Sequence, residues 1–369
     1  MTNDWKRTPK GKVRARGLGL PLPGTPGSFN AITDVEGVEV GYATIIEGEG
    51  PLVVGNGPIR TGVTAILPRG HSGGRIPCVA GSAVLNGNGE LTGLSWVEES
   101  GQCEGPVTIT NTHSVGLARD ATIKWMLTQP GRPDQSWGLP VSGETYDGEL
   151  NDINGFHVKD AHVFAALESA RGGAIEQGSV GGGTGMITYD FKGGSGSSSR
   201  RVAVNDRTYT VGAFVQSNFG IRPELSVLGV PVGRHILGGE VRSTPMGSII
   251  AVVITDAPLL PHQVKRLARR IPLGMARTGA IAHNGSGDIF IALSTANAES
   301  FAAGDDVRTM AFLPNPALDD LFQGVVEATE EAILDAMVAN ETMVGANGVT
   351  VRALPHGELV DVMKRYGRL

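Results

Sequence analysis

Apolar and β-branched residues come in short runs between glycines through the first part of the chain. VEGVEVGYATI (35–45) and TGVTAILP (61–68) read as strands bounded by turns. The spacing then becomes helical. THSVGLARDATIKWMLTQ (112–129) predicts a helix capped by Ser114, and KDAHVFAALESARGG (159–173) one that begins near Asp160 and stops at Gly172 and Gly173. RRVAVNDRTYTVGAFVQSN (200–218) alternates about Asn205-Asp206, a hairpin signal. SIIAVVIT (248–255) and IFIALST (289–295) are near-continuous apolar runs, the pattern of strands buried on both faces, with a helix at PHQVKRLARR (261–270) between them. Phe322, Val326, Ile333 and Met337 form one stripe of a C-terminal helix that covers a sheet.

The remaining stretches read as connections. Residues 1–27 are basic, rich in Pro and Gly and aperiodic, an arm over a neighbour or a frayed end. Residues 221–247 break into short pieces ending in a polar RSTP, a loop or linker. The chain has 54 glycines in 369 residues, about twice the usual share of roughly 7%, spread through apolar runs as tight turns require. A net charge of −6 gives no nucleic-acid footprint and no polybasic membrane anchor, and no stretch approaches the roughly 20 apolar residues of a membrane span. A soluble, cytoplasmic protein is expected. Cys78 and Cys103 are too few for a disulfide framework and too far apart for a zinc knuckle, so two free buried thiols are expected. The eight histidines include no HExxH, and His157 and His162 are five apart without a ligand pattern, so neither a metal nor a cofactor is expected.

One arrangement suggests chemistry. A linker reaches Gly247, and Ser248 then opens a buried strand. Attack of the Ser248 hydroxyl on the Gly247 carbonyl would turn the peptide into an ester, and hydrolysis would free an α-amine able to act as base for its own hydroxyl. Glycine before the cut tolerates unusual dihedrals. On the dipeptide alone, a turn glycine and a strand-opening serine are the default reading. Ser286 and Asp288, two apart at the mouth of the second core strand, share a face and could relay to the nucleophile; an Asx-capped turn is the alternative. Asn218, ending the hairpin's second strand, has an amide able to donate to an oxyanion. Glu144 and Tyr146, in SGETYDGELND, offer an acid for a substrate amine and a phenol, or are a solvated loop. Gly70-His71-Ser72-Gly73-Gly74 fits G-x-S-x-G, but Pro77 and glycines follow where a helix is required, and a turn is preferred. The run 181–185 lacks phosphate-loop spacing and reads as close backbone packing or a substrate-lining loop.

NAITDVEGVEVGY, VLNGNGELTG, ITNTHSVG, VGGGTGM with FKGGSG, VQSNFG, PMGSI and SGDIF occur in order along nearly the whole chain. Together they resemble the L-aminopeptidase/D-esterase and β-aminopeptidase family of self-cleaving serine peptidases. The resemblance implies an α/β fold, a four-layer αββα sandwich like that of N-terminal-nucleophile hydrolases but differently connected. It implies one unit over 1–369, cut into a larger subunit, 1–247, and a smaller one, 248–369, and assembled as a homotetramer of such heterodimers. By motif it makes Ser248 the nucleophile, Asn218 and Tyr146 the oxyanion and positioning pair, Ser286 and Asp288 the relay, and Glu144 the acid for the substrate amine. Asp288 is one methylene shorter than the Glu of some relatives. The expected substrates are small peptides, amides or esters. An acyltransferase of the ornithine acetyltransferase type, which uses Thr where this chain has Ser248, and a non-catalytic Gly-rich scaffold are the alternatives. Preference among L-, D- and β-aminoacyl groups is left open.

Overall fold

The computed structural model describes residues 5–73, 75–130, 134–242, 246–301 and 306–369. In chain order the strands are β1 (Glu39–Glu47), β2 (Ile59–Leu67), β3 (Cys78–Gly87), β4 (Gln102–Cys103), β5 (Val107–Asn111), β6 (Val141–Thr145), β7 (Ile187–Thr188), β8 (Phe191–Lys192), β9 (Gly194–Val204), β10 (Arg207–Asn218), β11 (Gly247–Thr255), β12 (Ser286–Ser294), β13 (Met343–Val344) and β14 (Thr350–Val351). The helices are α1 (Leu94–Ser100), α2 (Val115–Thr128), α3 (Asp160–Glu168), α4 (Pro261–Ala268), α5 (Ile271–Arg277), α6 (Asp319–Val338) and α7 (His356–Arg365). One sheet has the order β1-β2-β5-β6, the other β4-β3-β12-β11-β10-β9.

Period-two alternation sorts the strands' side chains into layers. Along β2, Val63, Ala65 and Leu67 cluster with Ala118 and Trp125 of α2 and Val163 and Ala166 of α3. Ile66 turns the other way, where Ile109 and Val141 meet Ile250, Val252, Ile254, Ile289 and Ile291 of the larger sheet. On that sheet's far face Ile249, Ala251, Val253, Phe290 and Ala292 join Val264, Met275, Val325 and Ala332 of α4, α5 and α6. The layers therefore run α, β, β, α. As its composition predicts, β11 is buried on both faces, between β10, antiparallel, and β12, parallel.

Several elements differ from expectation. Ser114 stands at the N-cap position of α2, as expected, but its side chain makes no cap bond; Asn111 caps the 3-10 turn over Thr112–Ser114 that precedes the helix, its Oδ1 accepting the Ser114 N–H at 3.0 Å. α3 stops at Glu168, short of Gly172 and Gly173, and the chain turns so that Arg171 pairs with Val40 of β1. β9 begins within the glycine run, where a Cβ on Gly196 would stand 1.9 Å from the Ala332 carbonyl oxygen of α6, so that only glycine lets helix and strand approach. The segment after Pro77, to which the sequence assigned no element, is β3, the antiparallel partner of β12. The hairpin turns at Asn205 (φ 54°), as expected. Gly74 of the G-x-S-x-G match and Ser243–Pro245 of the linker lie outside the described residues; Ser72 is exposed in a 3-10 turn. Cys78 and Cys103 are free, buried and opposite one another between β3 and β4.

From residue 5 on, the basic arm is docked rather than frayed. α6 carries acids at Glu327, Glu331 and Asp335, one turn apart on one face and buried. Arg14 donates from Nη2 and Nε to Asp335 Oδ2 at 2.7 and 2.9 Å, and Arg16 from Nε to Glu331 at 2.8 Å. Arg200 of β9 reaches Glu331 Oε2 from the sheet at 2.7 Å. The arm thus covers the polar face of a helix whose apolar face lies on the sheet. Asp335→Ala leaves the Arg14 guanidinium buried without its partner and is expected to lower unfolding stability by about 3–5 kcal/mol in chemical denaturation; no measurable loss would contradict the docking role.

Candidate active site

The register of three strands assembles the site. β10 and β11 pair so that Asn218 lies directly opposite Ser248, and β11 and β12 pair so that Ser248 lies beside Gly287, Gly247 beside Ser286 and Ile249 beside Asp288. Ser248 shares the face of Ile250 and Val252, so its hydroxyl looks between the sheets, where it is buried. There Oγ donates to the Gly247 carbonyl oxygen at 2.7 Å and accepts the Gly287 N–H at 3.3 Å. Gly247 has φ 151°, and a Cβ there would fall 2.1 Å from the Asn218 carbonyl oxygen and 2.6 Å from Phe219 Cα. Both contacts are backbone, so only glycine fits before the serine.

Asn218 is buried with its amide oriented. Its Oδ1 accepts from the Ile187 N–H at 2.8 Å and from Arg242 Nη2 at 2.9 Å, and its Nδ2 donates to the Tyr146 carbonyl at 2.7 Å. A backbone N–H can only donate and a carbonyl only accept, which assigns the amide's two ends. Tyr146 is half-buried, and its phenol has no hydrogen-bond partner among the described residues. Burial, with the Glu149 and Asp147 charges nearby, pushes that phenol up, so it stays protonated and able to donate.

Glu144 lies on β6, not in a solvated loop. It is buried, its Oε1 accepts the Glu90 N–H at 2.9 Å, and its Oε2 accepts the Thr112 hydroxyl. A Cβ on Gly89 would stand 3.1 Å from Glu144 Oε1 and 3.3 Å from the Cα of Gly287, the residue beside Ser248 on β12. Burial raises its pKa. β6 can come this close because Gly143 packs on Ile250 where a side chain would not fit easily.

Ser286 and Asp288 do form a pair, Ser286 Oγ donating to Asp288 Oδ1 at 2.6 Å. In the intact chain, among the described residues, the Ser286 hydroxyl makes no hydrogen bond to Ser248 Oγ. Register explains this: Ser286 and Asp288 align with Gly247 and Ile249, so the pair brackets the backbone of Ser248 while the hydroxyl points to the other face. Asp288 is pushed up to about 6 by burial, and its Oδ2 is buried without a partner.

Sequence reasoning passed over two groups. The Gly287 N–H is a backbone donor with no signature of its own. Arg242 stood in the polar linker RSTP, and a cation shortly before Gly247-Ser248 was the available signal. Among the described residues, no group of three His, Cys, Asp or Glu side chains is placed to hold a metal ion.

A buried serine opening a central strand of an αββα sandwich, with an oriented amide opposite it, is the layout of the N-terminal-nucleophile class of hydrolases. Comparison with known proteins narrows the class: the profile of peptidase family S58 matches residues 30–351. The chain is 51% identical to the beta-peptidyl aminopeptidase BapA of Sphingosinicella microcystinivorans over 96% of this chain and 93% of that one. Among solved structures, the L-aminopeptidase D-Ala-esterase/amidase of Ochrobactrum anthropi, described as a new variant among the Ntn hydrolase fold, superposes with a TM-score of 0.90 at 47% identity, covering 96% of this chain and 99% of that one. A beta-aminopeptidase of Burkholderia sp. superposes at 0.87 with 45% identity over 96% and 99%. The chain belongs to peptidase family S58. It is a hydrolase, an aminopeptidase, and the acyltransferase and scaffold alternatives have no support from these relationships.

The Asp288 environment sets a pH dependence. Its folded pKa, about 6, exceeds the ordinary 3.8. Between those values the folded chain holds a proton that the unfolded chain has released, so stability falls as pH rises through that window. Unfolding of wild type and Asp288→Asn should differ by a constant below pH 4, with wild type losing ground from there to above pH 6 and then holding. A difference independent of pH would contradict the raised pKa.

Proposed function

We propose that the chain cuts itself between Gly247 and Ser248 and that the freed Ser248 removes N-terminal residues from short peptides, amides or esters through an acyl-enzyme. The observation that carries this is the Ser248 hydroxyl resting on the carbonyl of the peptide it would attack, beside a glycine whose place no other residue can take. In self-cleavage Oγ adds to the Gly247 carbonyl carbon, its proton passes to the departing Ser248 nitrogen, and the C–N bond gives way to an ester. Water then cleaves the ester, leaving a Gly247 carboxylate and a free Ser248 amine and hydroxyl. The developing oxyanion has Asn218 Nδ2 and the Tyr146 phenol as nearby donors, and well-placed donors of this kind are worth about 3–4 kcal/mol.

In turnover the Ser248 amine, with an ordinary pKa of about 7.7–8.0, takes the hydroxyl proton near neutral pH. Asp288 Oδ2, buried and without a partner, is an acceptor available to that amine, and Ser286 fixes the carboxylate from its other oxygen. Glu144, buried near Gly287, pairs with the ammonium of the substrate. This pairing makes the enzyme an exopeptidase.

The acyl group is a β-aminoacyl group in this reading. If substrate takes the place of Gly247, the carbon next to its carbonyl meets the Asn218 and Phe219 backbone where an L side chain would project. A β-amino acid substituted at its amine-bearing carbon presents an unsubstituted CH2 there. The relative at 51% identity, a beta-peptidyl aminopeptidase, supports the same substrate class.

Assembly as four cleaved heterodimers in the cytoplasm completes the proposal. Exposed Val84, Leu85, Trp96, Trp137, Leu139 and Leu273 are apolar surface of the kind subunit contacts use, and two free buried thiols suit a reducing compartment.

On a denaturing gel, purified wild type should run as fragments 1–247 and 248–369 and Ser248→Ala as one band; an uncut wild type, or a cut Ser248→Ala, would overturn self-cleavage. Overpacking against backbone costs roughly 1–3 kcal/mol, so kcat/KM for β-aminoacyl amides should exceed that for α-L-aminoacyl amides of the same side chain by about tenfold or more. Equal or reversed values would remove the β-aminoacyl assignment.

A further inference from the structure

Arg242 lies five residues before the proposed cut and is among the most enclosed cations near the site, with 3% of its side chain exposed. Its guanidinium makes four contacts in four directions. Nη2 donates to Asn218 Oδ1 at 2.9 Å, Nη1 to the Met246 carbonyl at 3.0 Å and the Ile187 carbonyl at 3.3 Å, and Nε to Glu149 Oε1 at 2.8 Å. Its own backbone N–H is held by Asp190 Oδ1 at 3.1 Å, so the side chain springs from a fixed point. The surroundings are built for it rather than for the linker, which elsewhere is turns.

We propose that Arg242 is a positioning residue that sets the oxyanion-side amide of Asn218 and the strand end before Ser248 in one act, and that both self-cleavage and turnover depend on it. The inference rests on the reading of Ser248 as nucleophile and Asn218 as oxyanion donor.

A full positive charge on Oδ1 draws electrons from the amide and makes its N–H groups stronger donors, since hydrogen bonds in a chain polarise one another. One of those N–H groups donates to the Tyr146 carbonyl, and the proposed function gives the other to the reacting carbonyl. Through Met246 the same guanidinium holds the carbonyl one residue ahead of the scissile peptide, so donor and target are referred to one plane. A planar fork suits this; the bonds are charge-assisted and directional. Glu149 answers a second requirement. An uncompensated cation here would repel the ammonium group of an incoming substrate, and the ion pair removes that repulsion while locking the guanidinium's rotation.

Behind the amide, Lys192 is fully enclosed and donates to the Met186 and Gly193 carbonyls at 2.8 and 2.7 Å. The N–H of the Met186–Ile187 peptide is the other donor to Asn218 Oδ1. The amide oxygen is thus held from two sides, directly by Arg242 and through a peptide by Lys192.

The test uses full-length Arg242→Gln and Arg242→Lys, with melting temperature, the rate of self-cleavage, and kcat and KM of the cleaved fraction. Loss of a hydrogen bond to a charged group is worth roughly 1.5–3 kcal/mol, so Arg242→Gln should cleave itself and turn over about 10- to 100-fold more slowly, with KM within threefold of wild type. A role confined to packing would lower the melting temperature and leave kcat of the folded, cleaved enzyme alone; that result overturns the inference. Should Arg242→Gln not fold, Arg242→Lys decides, because an ammonium cannot span the same acceptors: a lowered kcat with unchanged KM supports the inference, and wild-type kcat overturns it. A wild-type chain that neither cleaves itself nor hydrolyses any substrate would instead remove the reading on which the inference rests.

Discussion

The close approach of Gly247 to the carbonyl of Asn218 is the contact from which the rest of the site follows. A Cβ at 247 would stand 2.1 Å from that oxygen, and the atoms in the way belong to the backbone of β10. The end of β11 therefore lies tight against β10, Asn218 falls opposite Ser248, and the serine hydroxyl is left against the carbonyl it would attack. The same closeness leaves no space beside the carbon that precedes the carbonyl, so in the proposed function one steric constraint would serve both the cut and the choice of acyl group. Both are consequences of strands that are buried on either face and cannot separate to make room.

Much of the framework was legible in the sequence. β11 and β12 announce themselves because strands covered on both faces need apolar residues at every position, and the hairpin of β9 and β10 because Asn205-Asp206 breaks an alternating pattern. What was hidden has a common physical origin in small residues. β3 reads CVAGSAVLNG and β6 VSGET, and neither has the bulk that marks a core strand. Glycine, serine and alanine stand there because another layer comes close: Gly81 against Lys265 of α4, Gly143 against Ile250. Missing β6 left Glu144 in a solvated loop, whereas it is a buried carboxyl near Gly287. The glycine run 181–185 is close backbone packing, one of the two readings its sequence suggested: a Cβ on Gly183 would stand 2.2 Å from the Ser195 nitrogen and one on Gly185 2.3 Å from the Arg60 carbonyl oxygen.

Register was the other thing a linear reading could not supply. That Ser286 and Asp288 share a face follows from their spacing. Which face they share relative to Ser248 depends on how β12 slides along β11, and the answer, alignment with Gly247 and Ile249, puts them beside the backbone nitrogen rather than the hydroxyl. In the proposed function that position suits the amine that self-cleavage would expose, and Asp288 is held there by a hydroxyl only two residues away.

Charge is buried around this site in compensated form. Arg242 with Glu149, Arg14 with Asp335, and Arg200 with Glu331 each place a guanidinium against a carboxylate, the pairing that offsets desolvation best because its geometry is bidentate or forked. Among the described residues neither Glu144 nor Asp288 has such a partner, and burial raises the pKa of each. Such isolated acids are costly in a resting fold and useful in a site that receives amines. The proposed role of Ser248 is tested most directly by trapping the acyl-enzyme: purified protein is mixed with a β-aminoacyl ester, quenched in acid, and its fragments weighed by mass spectrometry. Fragment 248–369 should gain one aminoacyl group, and peptide mapping should find it on Ser248. An adduct on another residue, or on an uncut chain, would contradict it.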